Sequence, residues 1–247
     1  MARPKAREDA AVLTSNPVVF LIDVDNTLLD NDRFAVDLTA RLDQDFGNAE
    51  RERYWTIYQE RRNKLSYADY LGTLQEFRVG TDNEPALLQM SAFLLDYPFE
   101  ERLYPRARDA IRHLDDLGTT VILSDGDIVF QPRKIQRSGL WDAVEGRVLV
   151  YLHKERMLDA MQRDFPAKHY VIFDDKPQLL AAMKRVLAGR LTTVFVRQGH
   201  YAAESARVAI DPSPDVVVEH IGDLCNVALP FFDLASRFSN SDRPIQT

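Results

Sequence analysis

Hydrophobic positions follow two rhythms along this chain. Short unbroken apolar runs occur near its beginning and through its second half, while the stretch between them repeats apolar residues every three to four positions. The first run, VVFLI after Pro17, has no polar alternation and is rich in branched residues, as in a strand buried on both faces of a parallel sheet. Further runs of this kind lie in TTVILSDG, RVLVY, HYVIFDD, LTTVFVR and DVVVE. Helical patterns separate them: one opened by Pro105 and ended by Gly118, one over 153–164 and one over 177–187. Such alternation predicts an α/β fold, a Rossmann-like, doubly wound and mostly parallel sheet.

The intervening residues read as four helices with no strand. Asn31 or Asp32 caps the first, which carries Phe34, Leu38, Leu42 and Phe46 and stops at Gly47. The second is highly charged and covers 50–64. Ser66 caps the third, with Tyr67, Tyr70, Leu71, Leu74 and Phe77 on one face, and Pro85 sits in the first turn of the fourth. The predicted organisation is a disordered extension over 1–16, a core domain from 17–30 and 101–235, an inserted all-helical cap domain over 31–100 and a flexible tail over 236–247.

Bulk properties narrow the classes. At 247 residues the chain can bury a substantial core. A net charge of −7 argues against a broad grip on nucleic acid but leaves room for a local pocket for a small anion. The single cysteine, Cys225, excludes an intrachain disulfide and favours a reducing compartment. No apolar stretch reads as a signal peptide or a membrane span, so a cytoplasmic protein without membrane partners is expected, as monomer or homodimer.

Chemistry concentrates where apolar runs end. Asp23 and Asp25 close the first run, and alternation along an extended chain aims both side chains the same way. Two like charges held together need a cation between them or a proton on one. Ser124 ends a second run, with Asp125 behind it, and Asp174 and Asp175 end a third. Adjacent parallel strands would bring these tips to one edge of the sheet, where open α/β sheets bind ligands. Lys154 lies where RVLVY gives way to a helix. His113, His153, His169, His200 and His220 show no metal-ligand spacing, and Tyr54, Trp55, Tyr58, Tyr67 and Tyr70 read as helical core.

The succession DxDxT, then Ser after an apolar run, then Lys at a helix start, then Asp-Asp after an apolar run resembles the haloacid dehalogenase superfamily of hydrolases. The resemblance runs from Val18 to about Val227 and includes a helical insertion between the first two motifs. It implies phosphoryl transfer through an aspartyl phosphate, with Asp23 as nucleophile and Asp25 as general acid and then base. Thr27 would hold the loop, and Ser124, beside Asp125, would bind phosphate oxygens together with Lys154. The implied cofactor is Mg²⁺, on Asp23, the backbone carbonyl of Asp25, and one or both of Asp174 and Asp175. The implied substrate is a small phosphorylated metabolite.

Three positions depart from the family pattern. No acid follows within five residues of Asp175, Asn26 stands where Gly is frequent, and Asp125 where Asn is frequent. Asp25 argues against a dehalogenase, and the 31–100 segment offers Lys64 alone for the Schiff base of a phosphonate hydrolase. A phosphomutase is the alternative that keeps Asp25, and a noncatalytic binding module would be expected to have lost Asp23, Asp25 or Lys154.

Overall fold

The computed structural model describes residues 16–205 and 209–226. The segments expected to be disordered lie outside this range, except Asn16, which opens the first strand. Residues 227–235 of the expected core lie outside it as well.

In chain order the elements are β1 (Asn16–Ile22), α1 (Asn31–Phe46), α2 (Asn48–Leu65), α3 (Tyr70–Phe77), α4 (Glu84–Asp96), α5 (Ala107–Asp115), β2 (Thr119–Asp125), α6 (Phe130–Arg137), α7 (Leu140–Ala143) and β3 (Val148–Tyr151). There follow α8 (Leu158–Asp164), β4 (Ala167–Asp174), α9 (Pro177–Leu187), β5 (Leu191–Val196), α10 (Gly199–Ser205) and β6 (Val216–Val218). The six strands form one sheet in the order β3-β2-β1-β4-β5-β6, parallel throughout. The chain winds outward from β1 to β3 and then crosses to β4 on the other side of β1. The strand order therefore reverses at β1, and a crevice opens beyond the strand ends at such a point.

Burial follows the apolar runs. Val18 to Ile22 are fully buried, and the two faces of β1 serve different layers. Val18, Phe20 and Ile22 join Ile111 and Leu114 of α5 and Phe130 and Ile135 of α6, whereas Val19 and Leu21 pack with Met161 of α8 and Leu180 and Met183 of α9. Register carries the strand tips to one level: Ile22 lies beside Ile122 and Phe173, so Asp23, Ser124 and Asp174 come one or two residues beyond aligned positions.

Helices α1 to α4 leave the sheet after β1 and return before β2. The outgoing and returning chains are laced together, with the Asp30 N–H donating to the Arg102 carbonyl at 2.8 Å and Tyr104 to Leu28 at 3.0 Å. Phe34 of α1 meets Tyr70 and Tyr97 but also Phe99 and Phe130, with ring centroids 5.0–5.9 Å apart. The aromatic core of the four helices thus continues into α6 beneath them. Tyr54, Tyr58 and Tyr70 are buried in it, as the helical pattern predicts, whereas Trp55 is half-buried against it and Tyr67 lies ahead of α3, half-buried.

Several helix ends differ from expectation. Asp30 caps α1 by accepting from the Arg33 N–H, because the Asn31 side chain is engaged elsewhere. Ser66, with φ +64°, closes α2 instead of opening α3, and Asp69 caps α3 by accepting from Gly72. The single helix expected over 153–164 is a 3₁₀ turn, Lys154–Arg156, followed by α8. There the Lys154 N–H is taken by the Asp125 carboxylate at 2.7 Å, which turns the chain before the helix begins. Helices α6, α7 and α10 have no counterpart in the sequence reading. No helix among the described residues is long and apolar enough to cross a membrane.

Candidate active site

Beyond β1 the chain makes a tight turn, with the Leu28 and Leu29 N–H groups both donating to the Val24 carbonyl at 2.9 Å. Asn26 takes φ +60°, a left-handed conformation that Asn tolerates better than most residues, so it fills the position of the frequent Gly. Its side chain accepts from the N–H groups of Asn31 and Asp32 and donates to Asp32 Oδ1 at 3.0 Å. Gly199 makes this possible: a Cβ there would lie 2.5 Å from that of Asn26, and its φ is +68°.

Four sequence-predicted residues converge beside this turn. Lys154, fully buried, places its ammonium 2.5 Å from Asp23 Oδ1 and 2.6 Å from Asp174 Oδ2. The second contact is poorly directed and leaves that Asp174 oxygen without a true hydrogen bond. Burial alone would lower the Lys154 pKa, but the Asp174 and Asp23 carboxylates hold it well above the ordinary value. Asp175 is fully buried, and neither of its oxygens finds a partner. Burial, then the neighbouring Asp174 charge, push its carboxyl up to about 9.

Asp23, Asp174 and Asp175 each offer an oxygen within 4.8 Å of the others. Asp23 Oδ2 and both Asp175 oxygens are buried without partners. Three carboxylates with unpaired oxygens facing one another form an all-oxygen donor set that suits a hard divalent cation.

Asp25 stands apart at the mouth of this cluster, with a side chain 26% exposed, so solvent or a substrate can reach it. Asp125 accepts from the Lys154 N–H and lines the same opening; burial raises its pKa despite the nearby Lys154. Ser124 is buried below it and accepts from Gln131 Nε2 at 2.9 Å. Thr27 is wholly buried; its carbonyl accepts from Gln198 and its hydroxyl has no partner.

A cavity of about 680 Å³ opens above, between the strand ends and α1 to α3, and Asp25, Arg62, Tyr67, Asp125, Lys176 and His200 are among its lining. Several residues here were not anticipated. Lys134 and Gln131, on α6, contact Asp25 directly. Lys176 carries an ammonium that burial alone would weaken but that the Asp23, Asp174 and Asp175 charges hold above its ordinary value. Lys176 had a signal, standing directly after the Asp-Asp pair; Lys134 sits mid-helix among polar neighbours and had none.

The comparisons with known proteins fit this geometry. A model of the haloacid dehalogenase-like hydrolases matches residues 18–186. A putative haloacid dehalogenase-like hydrolase from Burkholderia xenovorans is 56% identical, with 86% of this chain and 96% of that one covered and a TM-score of 0.80. At 19% and 15% identity the likeness is of fold alone. It extends to YfnB of Bacillus subtilis, solved with magnesium (TM-score 0.56; 86% and 100% covered), and to a 2-haloacid dehalogenase from Pseudomonas syringae (0.62; 90% and 99%). No curated protein matches. Matched over more than half its length, and carrying a buried acidic cluster at the reversal point of a parallel sheet, this chain belongs to the haloacid dehalogenase-like hydrolase family.

Proposed function

We propose that the protein is a magnesium-dependent phosphatase of small phosphorylated metabolites, with the four helices acting as a cap domain over the core. The observation that carries this reading is the pairing of a buried carboxylate, Asp23, against Lys154 with a second, accessible carboxylate, Asp25, two residues on. A dehalogenase has no use for an acid at the second position, because a halide leaves without a proton.

Asp23 is the nucleophile. One of its oxygens attacks phosphorus, the bond from phosphorus to the leaving oxygen breaks, and Asp25 delivers a proton to that oxygen, releasing an alcohol. Water then attacks the aspartyl phosphate, Asp25 takes the proton back, and Asp23 is regenerated as inorganic phosphate departs. Lys154 offsets negative charge at Asp23 and, with Ser124, meets the non-bridging oxygens of the transferring group. Asp23, Asp174, Asp175 and the Asp25 carbonyl would hold Mg²⁺, which supplies charge neutralisation between two anionic reactants. Arg62 and Lys176 line the cavity above, where the leaving group would lie.

The test is phosphate release from aryl, sugar and nucleotide monophosphates, with Mg²⁺ and with chelator, and halide release from 2-chloropropionate. Metal-dependent phosphate release, reduced at least 10³-fold by Asp23→Asn on the order expected for loss of a nucleophile, is the expected result. Halide release without phosphate release would overturn the reading. Conversion of a sugar phosphate to its isomer without net hydrolysis would turn it to a phosphomutase.

A further inference from the structure

A buried lysine that the mechanism above does not use lies directly against its proton donor. Lys134, on α6, is 1% exposed, and its ammonium donates to Asp25 Oδ1 at 2.8 Å and to Asn31 Oδ1 at 2.9 Å. The rings of Phe130, Phe99 and Phe34 stand 5.2, 5.6 and 5.9 Å from the ammonium. One turn earlier on the same face, Gln131 donates to the other oxygen, Asp25 Oδ2, at 3.3 Å, and to Ser124 Oγ at 2.9 Å. Gly126 leaves the space for it: a Cβ there would sit 2.8 Å from that of Gln131.

Burying an ammonium is costly unless a counter-charge and further acceptors meet it, so a lysine packed among three phenylalanines needs a structural or functional reason. Of its two acceptors, Asn31 is neutral and Asp25 is the only carboxylate among the described residues that it reaches. The two α6 donors take separate oxygens of one carboxylate, which restrains both χ angles of Asp25 while the residue stays in the lining of the cavity. A proton donor must be held within hydrogen-bond reach of the oxygen it serves, and an unrestrained carboxylate with a quarter of its surface exposed would sample other rotamers.

We propose that Lys134 and Gln131 are positioning residues that clamp Asp25 in the orientation from which it protonates the leaving oxygen. The clamp ties Asp25 to two other parts of the site, to Ser124 through Gln131 and to the first residue of the helical insertion through Asn31. The inference rests on the phosphatase reading, since it is the leaving alcohol that needs the proton.

The test compares esters that differ in this need. The glycerol of an alkyl ester such as glycerol 3-phosphate leaves as an alkoxide unless protonated, whereas the 2,4-dinitrophenolate of 2,4-dinitrophenyl phosphate leaves unaided. The measured quantity is the ratio of kcat/KM for the alkyl ester to that for the aryl ester, in wild type, Lys134→Met and Gln131→Met. Lys134→Met should lower this ratio roughly tenfold to hundredfold, within the range that general acid catalysis contributes, and Gln131→Met should lower it less. Lys134→Arg should recover part of the loss.

An equal loss on both esters in both variants would mean that α6 supports the fold or the phosphate pocket, and would overturn the clamp. If Lys134→Met does not fold, the Gln131→Met ratio decides alone. Absence of turnover in the wild type would instead remove the phosphatase reading, and this inference with it.

Discussion

Asp175 has two oxygens that are buried, unpartnered and next to other carboxylates. With its carboxyl pushed from 3.8 up to about 9, the folded metal-free chain binds a proton that the unfolded chain releases near pH 4. The unfolded state therefore binds fewer protons over this window. The stability this group contributes is present below about pH 4 and is lost as pH rises towards about 9. Asp175→Asn, which keeps the volume and removes the charge, is expected to raise the Tm of the metal-free protein at about pH 8 and to change it little at about pH 4. The same substitution should shrink the rise in Tm that Mg²⁺ gives the wild type. Calorimetric scans with Mg²⁺ and with chelator check both. A lower Tm for the variant in chelator at about pH 8 would show that the carboxylate is compensated within the fold.

Elements decide how much of this was legible in the sequence. The strands were, because unbroken apolar runs have one comfortable place, the middle of a parallel sheet, and their polar ends must then meet at its edge. Asp23, Ser124 and Asp174 follow from that with no knowledge of contacts. Helix α6 was not, because its buried face carries Gln131 and Lys134 between Phe130 and Ile135, so the apolar period is broken where the site needs polar groups. Helix α10 is equally silent, being short and defined by its contacts: its first residue, Gly199, packs on Asn26, and the next, His200, meets Asp32 at 2.6 Å. Gly199→Ala would force a Cβ against Asn26 at a φ that disfavours it. A loss of about 2 kcal/mol, or about 4–8 °C in Tm for a chain of this size, is expected, with a fall in kcat as the turn behind Asp25 shifts. An unchanged Tm would mean that α10 rides freely over the turn.

On the scale of the whole molecule, many polar contacts join the four helices to the core, and that of Arg62 is the informative one. Its helix, α2, carries Arg51, Arg53 and Arg61, each ion-paired to a carboxylate. Arg62, half-buried and lining the cavity, has no carboxylate within reach among the described residues; its guanidinium donates to the Tyr201 hydroxyl on α10. A half-buried guanidinium with tyrosines but no carboxylate around it retains donors to spare, and a ligand oxygen in the cavity can accept them. Because this contact spans the two parts of the molecule, two roles separate kinetically. If Arg62 meets the part of the substrate remote from phosphorus, Arg62→Met raises KM roughly tenfold while kcat stays near its wild-type value, since a uniform binding contact is lost. If its role is only to hold the helices over the core through Tyr201, Tyr201→Phe reproduces the effect of Arg62→Met and kcat falls in both. Steady-state kinetics of the two variants on whichever ester of the panel turns over best distinguish these outcomes. We expect the first, because tyrosine hydroxyls are poor counterparts for a half-buried cation, whereas an oxygen of the substrate completes its shell.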